Sequence, residues 1–200
     1  LAGIQAVLND ALPDSSEIVD AKALWGSEAR TGIHRDDDSR TTKEDALYQT
    51  AHVRLQRGVS LVMGVSGFEG DRPDLLTLGG ESRMARLEEA DFKLPDAGAK
   101  SNRYTATLIT PACFQDDGWR TPGGKLGDLP GRVISACVGK LVMIGGWDSE
   151  KKQPKKLEPH LPPGSVFFME DAGEDVTDKH GTHIGEKREW GYGQILIGAW

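Results

Sequence analysis

Cysteine is scarce in this chain. Cys113 and Cys137 stand alone, without the paired spacing of a zinc framework or the density of a disulfide scaffold. A reducing cytoplasm fits that usage. Long apolar runs are missing too: none approaches the ~20 residues of a membrane span, and none reads as a secretory leader. Positive charge is outweighed, with a formal net charge of −7. An overall positive field is thereby excluded, so any nucleic acid has to be met by a local basic surface. P-loop, GxSxG and HExxH motifs do not occur, which removes the commonest phosphate-binding, acyl-transfer and metalloprotease signatures. An initiator Met is also missing while Leu1 already sits in an amphipathic pattern, so the chain reads as a fragment whose N-terminal part has been removed.

What is present is ordinary globular composition, 38% hydrophobic and 28% charged over 200 residues, enough for one well-buried domain or two small ones. The 25 glycines are an excess over the usual share of roughly 7%. They point to tight turns and close backbone approaches, and to few long helices. The stretch from Glu28 to Arg57 interleaves Arg30, His34, Arg35, Arg40, Lys43, Arg54 and Arg57 with Asp36, Asp37, Asp38, Glu44 and Asp45. Planar guanidinium forks beside the hydroxyls of Thr31, Ser39, Thr41 and Thr42 suit phosphate recognition. The plainer alternative is a solvated loop whose opposite charges pair with one another.

Periodicity predicts a first helix through Ile4, Val7, Leu8 and Leu12, ended by Pro13, and a second to Trp25 opened by an Asp14/Glu17 capping box. After the polar loop or hairpin, the odd-numbered run Val53, Leu55, Val59, Leu61, Met63 and Val65 predicts a half-buried strand bent at Gly58. Leu75 to Leu78 leads into a glycine turn, and Met84 to Phe92 fits helix or strand equally. Tyr104 to Thr110 reads as a strand, residues 115 to 131 as a long surface loop, Val133 to Ile144 as a central strand, then Ser165 to Met169 and Tyr192 to Trp200 as further strands. Strands with few helices make an α+β sheet domain.

Several constellations could carry chemistry. His180-Gly-Thr-His183, with His34 and the aspartates 36 to 38, is the most metal-like, but Gly181 disfavours the helical turn that two His three apart would need. Loop histidines are the better reading, and no metal or cofactor is expected. Cys113 at a strand end and Cys137 in an apolar strand read as small hydrophobes rather than nucleophiles. His34 or His52 with Tyr48 nearby could serve a metal-independent RNA-cleaving site, although nothing in the spacing demands it. Gly79-Gly80 before Arg83 and Arg86, and Gly191-Tyr-Gly193, let backbone amides approach a ligand; Trp147 beside Gly145-Gly146 could stack on a base.

Taken in order, Arg30-Thr-Gly-Ile-His-Arg-Asp36, Arg40-Thr-Thr42, Ala46-Leu-Tyr48, Leu78-Gly-Gly-Glu-Ser-Arg83, Gly146-Trp-Asp148, Pro163-Gly-Ser-Val-Phe-Phe168, Gly191-Tyr-Gly193 and Gly198-Ala-Trp200 carry a resemblance. From about Leu24 to the C-terminus the chain resembles the RAMP subunit that caps the 5′ handle of the guide RNA in type III-B CRISPR effector complexes, the Cmr module. The resemblance implies a ferredoxin-like (RRM-type) α+β domain with an antiparallel sheet, glycine-rich loops and extended hairpin insertions. It makes Met84 to Phe92 a strand. It divides the chain into a helical lead-in (1–27), an Arg-rich loop or hairpin (28–52) and a RAMP domain (53–200), the C-terminal of two such units, the family's N-terminal RRM-like half being absent here. It further implies a non-enzymatic cytoplasmic subunit that holds the crRNA 5′ handle and docks to the large polymerase-like subunit and the first backbone RAMP subunit. Carried over by residue, Arg30, His34, Arg35, Arg40, Thr41, Gly79, Gly80 and Arg83 become RNA-contact candidates. Asp45 departs from the small residue the family has before Ala-Leu-Tyr. A ferredoxin-like CRISPR RNA-processing endonuclease is the alternative.

Overall fold

The computed structural model describes residues 1–36, 38–80, 82–98 and 102–200, with residues 34, 35 and 42–46 described by backbone alone. Two short helices come first, α1 (Ala2–Leu8) and α2 (Ala21–Leu24). Strands then follow: β1 (Trp25–Arg35), β2 (Thr42–Leu55), β3 (Leu75–Thr77), β4 (Met84–Arg86), β5 (Tyr104–Leu108) and β6 (Arg132–Cys137). The series ends with β7 (Val142–Ile144), β8 (Trp147–Asp148), β9 (Gln153–Pro154), β10 (Glu158–His160), β11 (Val166–Glu170) and β12 (Ile195–Gly198). None of the described helices is long and apolar enough to cross a membrane. The chain forms two compact units, one of Leu1–Glu17 with Leu94–Trp200, the other of Ile18–Lys93.

The first unit is built on a four-stranded antiparallel sheet in the order β12-β5-β11-β6. Numbered along the chain, that is fourth, first, third, second. Alternation decides which face is buried: Tyr104, Ala106 and Leu108 on β5, Phe167 and Met169 on β11, Val133 on β6, and Ile195 and Ile197 on β12 point to one side. The cover over that side comes from the two crossovers, Leu126 and Leu129 between β5 and β6, and Val176 and Ile184 between β11 and β12. Those crossovers hold only single 3₁₀ turns, Gly118–Arg120, Thr177–Lys179 and Arg188–Trp190. Glycines at 123, 124, 127, 131, 173, 181, 185, 191 and 193 break any helical run there.

Tyr104 is wholly buried and its hydroxyl donates to the Pro130 carbonyl at 2.5 Å, a hydrogen bond that a buried phenol needs. Burial pushes that phenol well above its ordinary range. The helix α1 is tied to the end of β12, where Ala199 N–H donates to the Leu8 carbonyl at 2.7 Å. Gly198 makes this possible, since a Cβ there would stand 3.1 Å from Leu8 Cα. Two small ribbons, β7 with β10 and β8 with β9, complete this unit.

Several elements differ from the expectation. The second helix is broken: Asp14 accepts from Ser16 N–H and Oγ at 2.9 and 2.6 Å instead of forming a box with Glu17, and Asp20 caps a new start through Lys22 N–H at 2.8 Å. The alternating run beyond Leu55 is not a strand. Its last ladder contact is Gln56 N–H to the Leu24 carbonyl at 2.9 Å, after which the partner strand has ended. Alternation without a partner has no hydrogen bonds to support it, and Leu61, Met63 and Val65 are exposed.

Residues 115 to 131 form the expected surface loop, exposed over most of its length but held at two points. Leu126 and Leu129 anchor them in the core, and Gly123 and Gly124 exchange backbone hydrogen bonds with Val133 at 2.7 and 2.8 Å. The central strand at 133 to 144 splits into β6 and β7, with β6 at the sheet edge and Cys137 exposed. Met84 onward is a strand, but β4 stops at Arg86, matched to the three residues of β3.

Candidate nucleic-acid interface

The polar stretch folds as a long antiparallel ribbon in the unit of Ile18–Lys93. β1 and β2 pair from Trp25↔Leu55 to Ile33↔Leu47, with a register shift before Arg35↔Thr42. Directly opposed residues share a face, so the pairs sort the charges. Glu28/His52, Arg30/Thr50, Gly26/Arg54 and Gly32/Tyr48 lie on one side. Ser27/Val53, Ala29/Ala51, Thr31/Gln49 and Ile33/Leu47 lie on the other, and none of these eight residues is charged. The apparently patternless sequence is a strand pair whose two faces differ in kind.

Glu28 sits between two arginines. Arg30 Nε donates to Oε1 at 2.8 Å from two residues away, and Arg54 Nη1 donates to Oε2 at 2.7 Å from the opposite strand. These charge-assisted bonds, Arg54's first, hold the Glu28 carboxyl down at about 2. One carboxylate thus aligns two guanidinium groups and leaves the cluster with a net positive charge. Beside it lies an open hollow of about 330 Å³ bordered by Glu28, Arg54 and Arg57. His52, half-buried on the same face, is bonded through Nε2 to Thr50 Oγ1 at 2.9 Å. Tyr48 lies across Gly32, where a Cβ would run into its ring.

At the tip, Asp36 organises the turn, its Oδ1 accepting from Ser39 N–H at 2.9 Å and Ser39 Oγ at 3.0 Å. Arg40 adopts a left-handed φ of 56°, and Thr41 Oγ1 is 2.8 Å from Ser39 Oγ. This is turn chemistry, so the aspartate triplet acts, at Asp36, as a cap. Asp37 lies outside the described residues, as do the side chains of His34 and Arg35, whose backbones place them at the tip end of β1. Arg30 and Arg35 are therefore about 16 Å apart along the ribbon.

Gly79, Gly80 and Arg83 belong to a separate small hairpin between β3 and β4. Gly79 takes φ +84°, the reason a glycine stands there, while a Cβ at either glycine would meet nothing within 4 Å. Arg83 N–H donates to the Gly80 carbonyl at 3.4 Å, and its Nη2 is buried without a hydrogen-bond partner among the described residues.

The other unit offers a surface whose residues end two of the sequence motifs but are not among the contact candidates. Because Phe167 and Met169 point inward, Phe168 faces out, and its ring meets Trp200 at 5.3 Å in an edge-on arrangement. The Arg103 guanidinium lies 5.3 Å above the same Trp200 ring and pairs with Glu170 at 2.7 Å. Strand alternation through Val166–Glu170 was the signal that could have found it. By contrast, His180 is structural: its Nε2 bonds the Pro95 carbonyl at 2.8 Å and its Nδ1 accepts from Ile197 N–H at 3.0 Å. With both nitrogens engaged it has none left for a metal shared with His183. Trp147 is exposed at the edge of β8.

Comparison with known proteins gives a family. A family model described as CRISPR-associated protein (Cas_Cmr3) matches residues 1–200. No curated protein matches. Two solved structures are similar over 72% of this chain, each at 22% identity and a TM-score of 0.45: type III-B Cmr-beta bound to cognate target RNA, and type III-B Cmr-beta bound to cognate target RNA and AMPPnP, state 1. The chain spans 45% and 46% of the matched chains, less than half their length.

Proposed function

The chain belongs to the Cas_Cmr3 family of CRISPR-associated proteins, and from that premise we propose that it is a non-catalytic RNA-binding subunit of a type III-B effector complex. It holds the 5′ handle of the guide RNA and acts in antiviral defence. The observation that carries this reading is the ribbon's guanidinium cluster: Arg30 and Arg54 locked by Glu28 on one face, with Arg40 and Thr41 at the tip and the backbone of Arg35 leading to it. Guanidinium groups held by a neighbouring carboxylate are pre-oriented for phosphate and lose less freedom on binding. Gly79, Gly80 and Arg83 form a second contact set. The face with exposed Ile33, Leu47 and Val53 suits docking to protein neighbours, the large polymerase-like subunit and the first backbone RAMP subunit being the partners proposed.

The order fourth-first-third-second, antiparallel throughout, supports a ferredoxin-like (RRM-type) reading of the sheet, with its crossover helices replaced by loops. On such a sheet an outward aromatic at the centre is placed to stack on a base, and Phe168 beside Trp200 supports that use. Co-expression with the genomic neighbours, purification and sequencing of bound RNA tests the proposal. A multi-subunit complex carrying RNAs with one shared 5′ handle is the expected result. Recovery of the chain alone and RNA-free would count against it, and cleavage of repeat RNA in metal-free buffer, lost in His34→Ala or His52→Ala, would replace it with a nuclease.

A further inference from the structure

Away from the ribbon, Cys113, Glu158 and His160 converge within the unit of Leu1–Glu17 and Leu94–Trp200. The backbone brings them together. Ala112 and Leu161 form an antiparallel bridge, with N–H to carbonyl distances of 3.1 and 2.7 Å in the two directions, which sets Cys113 opposite His160. Glu158, two residues back on β10, shares the face of His160. One ligand atom from each, the Cys113 thiol, a Glu158 carboxylate oxygen and a His160 ring nitrogen, lie within 4.8 Å of one another.

His160 is the informative member. It is only 1% exposed, and its Nδ1 is 3.0 Å from the Glu158 carbonyl. A carbonyl can only accept, so Nδ1 carries the proton and Nε2 is left with a bare lone pair in the neutral ring. That Nε2 is buried and has no hydrogen-bond partner among the described residues. A buried acceptor without a donor is costly. An imidazole with one nitrogen pinned to a carbonyl and the other bare is in the tautomer that ligates metals.

We propose that Cys113, Glu158 and His160 form a binding site for a divalent transition metal of the zinc class, a site independent of the RNA-binding reading. Thiolate, imidazole and carboxylate together suit Zn²⁺, whose bonds of about 2.0–2.3 Å space tetrahedral ligands by about 3.3–3.7 Å. Side-chain rotation of about one ångström closes the present arrangement onto an ion. Lys187 pairs with Glu158 Oε2, but a carboxylate keeps lone pairs on its second oxygen for the metal. A cavity of about 260 Å³ bordered by Glu158, His160, Lys187, Trp190 and Tyr192 gives the ion a way in and a water room to complete the coordination. The bound ion clips the segment after β5 to β10.

The test uses the full chain, purified free of metal and titrated with Co²⁺ and then Zn²⁺. One equivalent of Co²⁺ binding with a thiolate-to-cobalt charge-transfer band in the near ultraviolet is expected, and one equivalent of Zn²⁺ abolishes it. Cys113→Ser loses the band, and Cys113→Ser and Glu158→Gln each weaken Zn²⁺ by at least about tenfold. His160→Asn does the same; because His160 is buried, the other two variants decide the outcome, with circular dichroism confirming that they fold. His183→Ala retains wild-type affinity. Absence of the band in the wild type, or equal Zn²⁺ affinity in wild type, Cys113→Ser and Glu158→Gln, overturns the proposal.

Discussion

Glu28 and Arg54, on opposite strands of the β1–β2 ribbon, meet at 2.7 Å, and Arg30 holds the other oxygen of the same carboxylate at 2.8 Å. Because the partners favour the charged form, the folded-state pKa of Glu28 lies below its ordinary value of 4.5, at about 2. A group depressed on folding contributes stability that is fully present above the unfolded value and fades as pH falls through the folded one. The carboxyl ¹³C shift of Glu28 is therefore expected to titrate with a midpoint near 2. In Arg54→Ala the midpoint rises toward 4.5. Glu28→Gln melts below wild type at neutral pH, and the gap closes as pH approaches 2.

The RNA-contact candidates separate by salt dependence. Each phosphate contact to single-stranded RNA contributes roughly 0.7 to the slope of log affinity against log salt. Arg35→Ala and Arg40→Ala are expected to weaken handle RNA binding and lower that slope by about this amount each. Unchanged affinity and slope in a fluorescence titration removes the residue from the interface. Glu28→Gln, which deletes a negative charge beside Arg30 and Arg54, moves the other way and strengthens non-specific RNA binding at low salt.

Pattern made the sheet legible and pairing made the rest illegible. Tyr104 to Leu108 and Val166 to Glu170 alternate cleanly because one face is core and the other is open, and such strands declare themselves. The ribbon hid because neither face is buried: Leu47, Val53 and Ile33 are exposed, so no apolar period marks β1. The run beyond Leu55 misled for the opposite reason, having the period without a partner. Arg30, Arg40 and Thr41 were visible as a chemical type, but their division along one ribbon and the removal of Gly79, Gly80 and Arg83 to another hairpin are facts of register. The Cys113, Glu158 and His160 cluster was invisible since its members come together only through the Ala112–Leu161 bridge.

Gly32 and Tyr48 are a cross-strand pair in which the ring occupies the space a Cβ would take. Gly32→Ala is expected to displace the ring and destabilise the ribbon by about 1–2 kcal/mol, within the range for a lost cross-strand aromatic contact plus local strain. The cost depends on Tyr48 being present. In a double-mutant cycle, Gly32→Ala in the Tyr48→Ala background costs much less, and amide exchange at Ile33 and Leu47 reports the change locally. Additive effects would show that the ring does not rest on Gly32.

Phe167 and Phe168 are neighbours with opposite tasks, and their substitution separates stability from binding. Phe167 is fully buried, packs edge-on against Trp119 at 6.1 Å and belongs to the core of the sheet. Phe167→Ala removes a large side chain from a filled interior, where partial collapse leaves a cavity, and is expected to cost about 3–5 kcal/mol in urea denaturation. Phe168, on the other face, contacts Trp200 and is only half-buried. Phe168→Ala therefore costs little in the folded state. If its ring stacks on a base of the guide handle, its loss lowers RNA affinity by about 1–3 kcal/mol with little change in salt slope, since stacking neutralises no phosphate. This distinguishes it from the arginine variants, which alter both. Stability near wild type with unchanged RNA affinity would leave Phe168 and Trp200 as packing residues and confine the RNA to the ribbon and the β3–β4 hairpin.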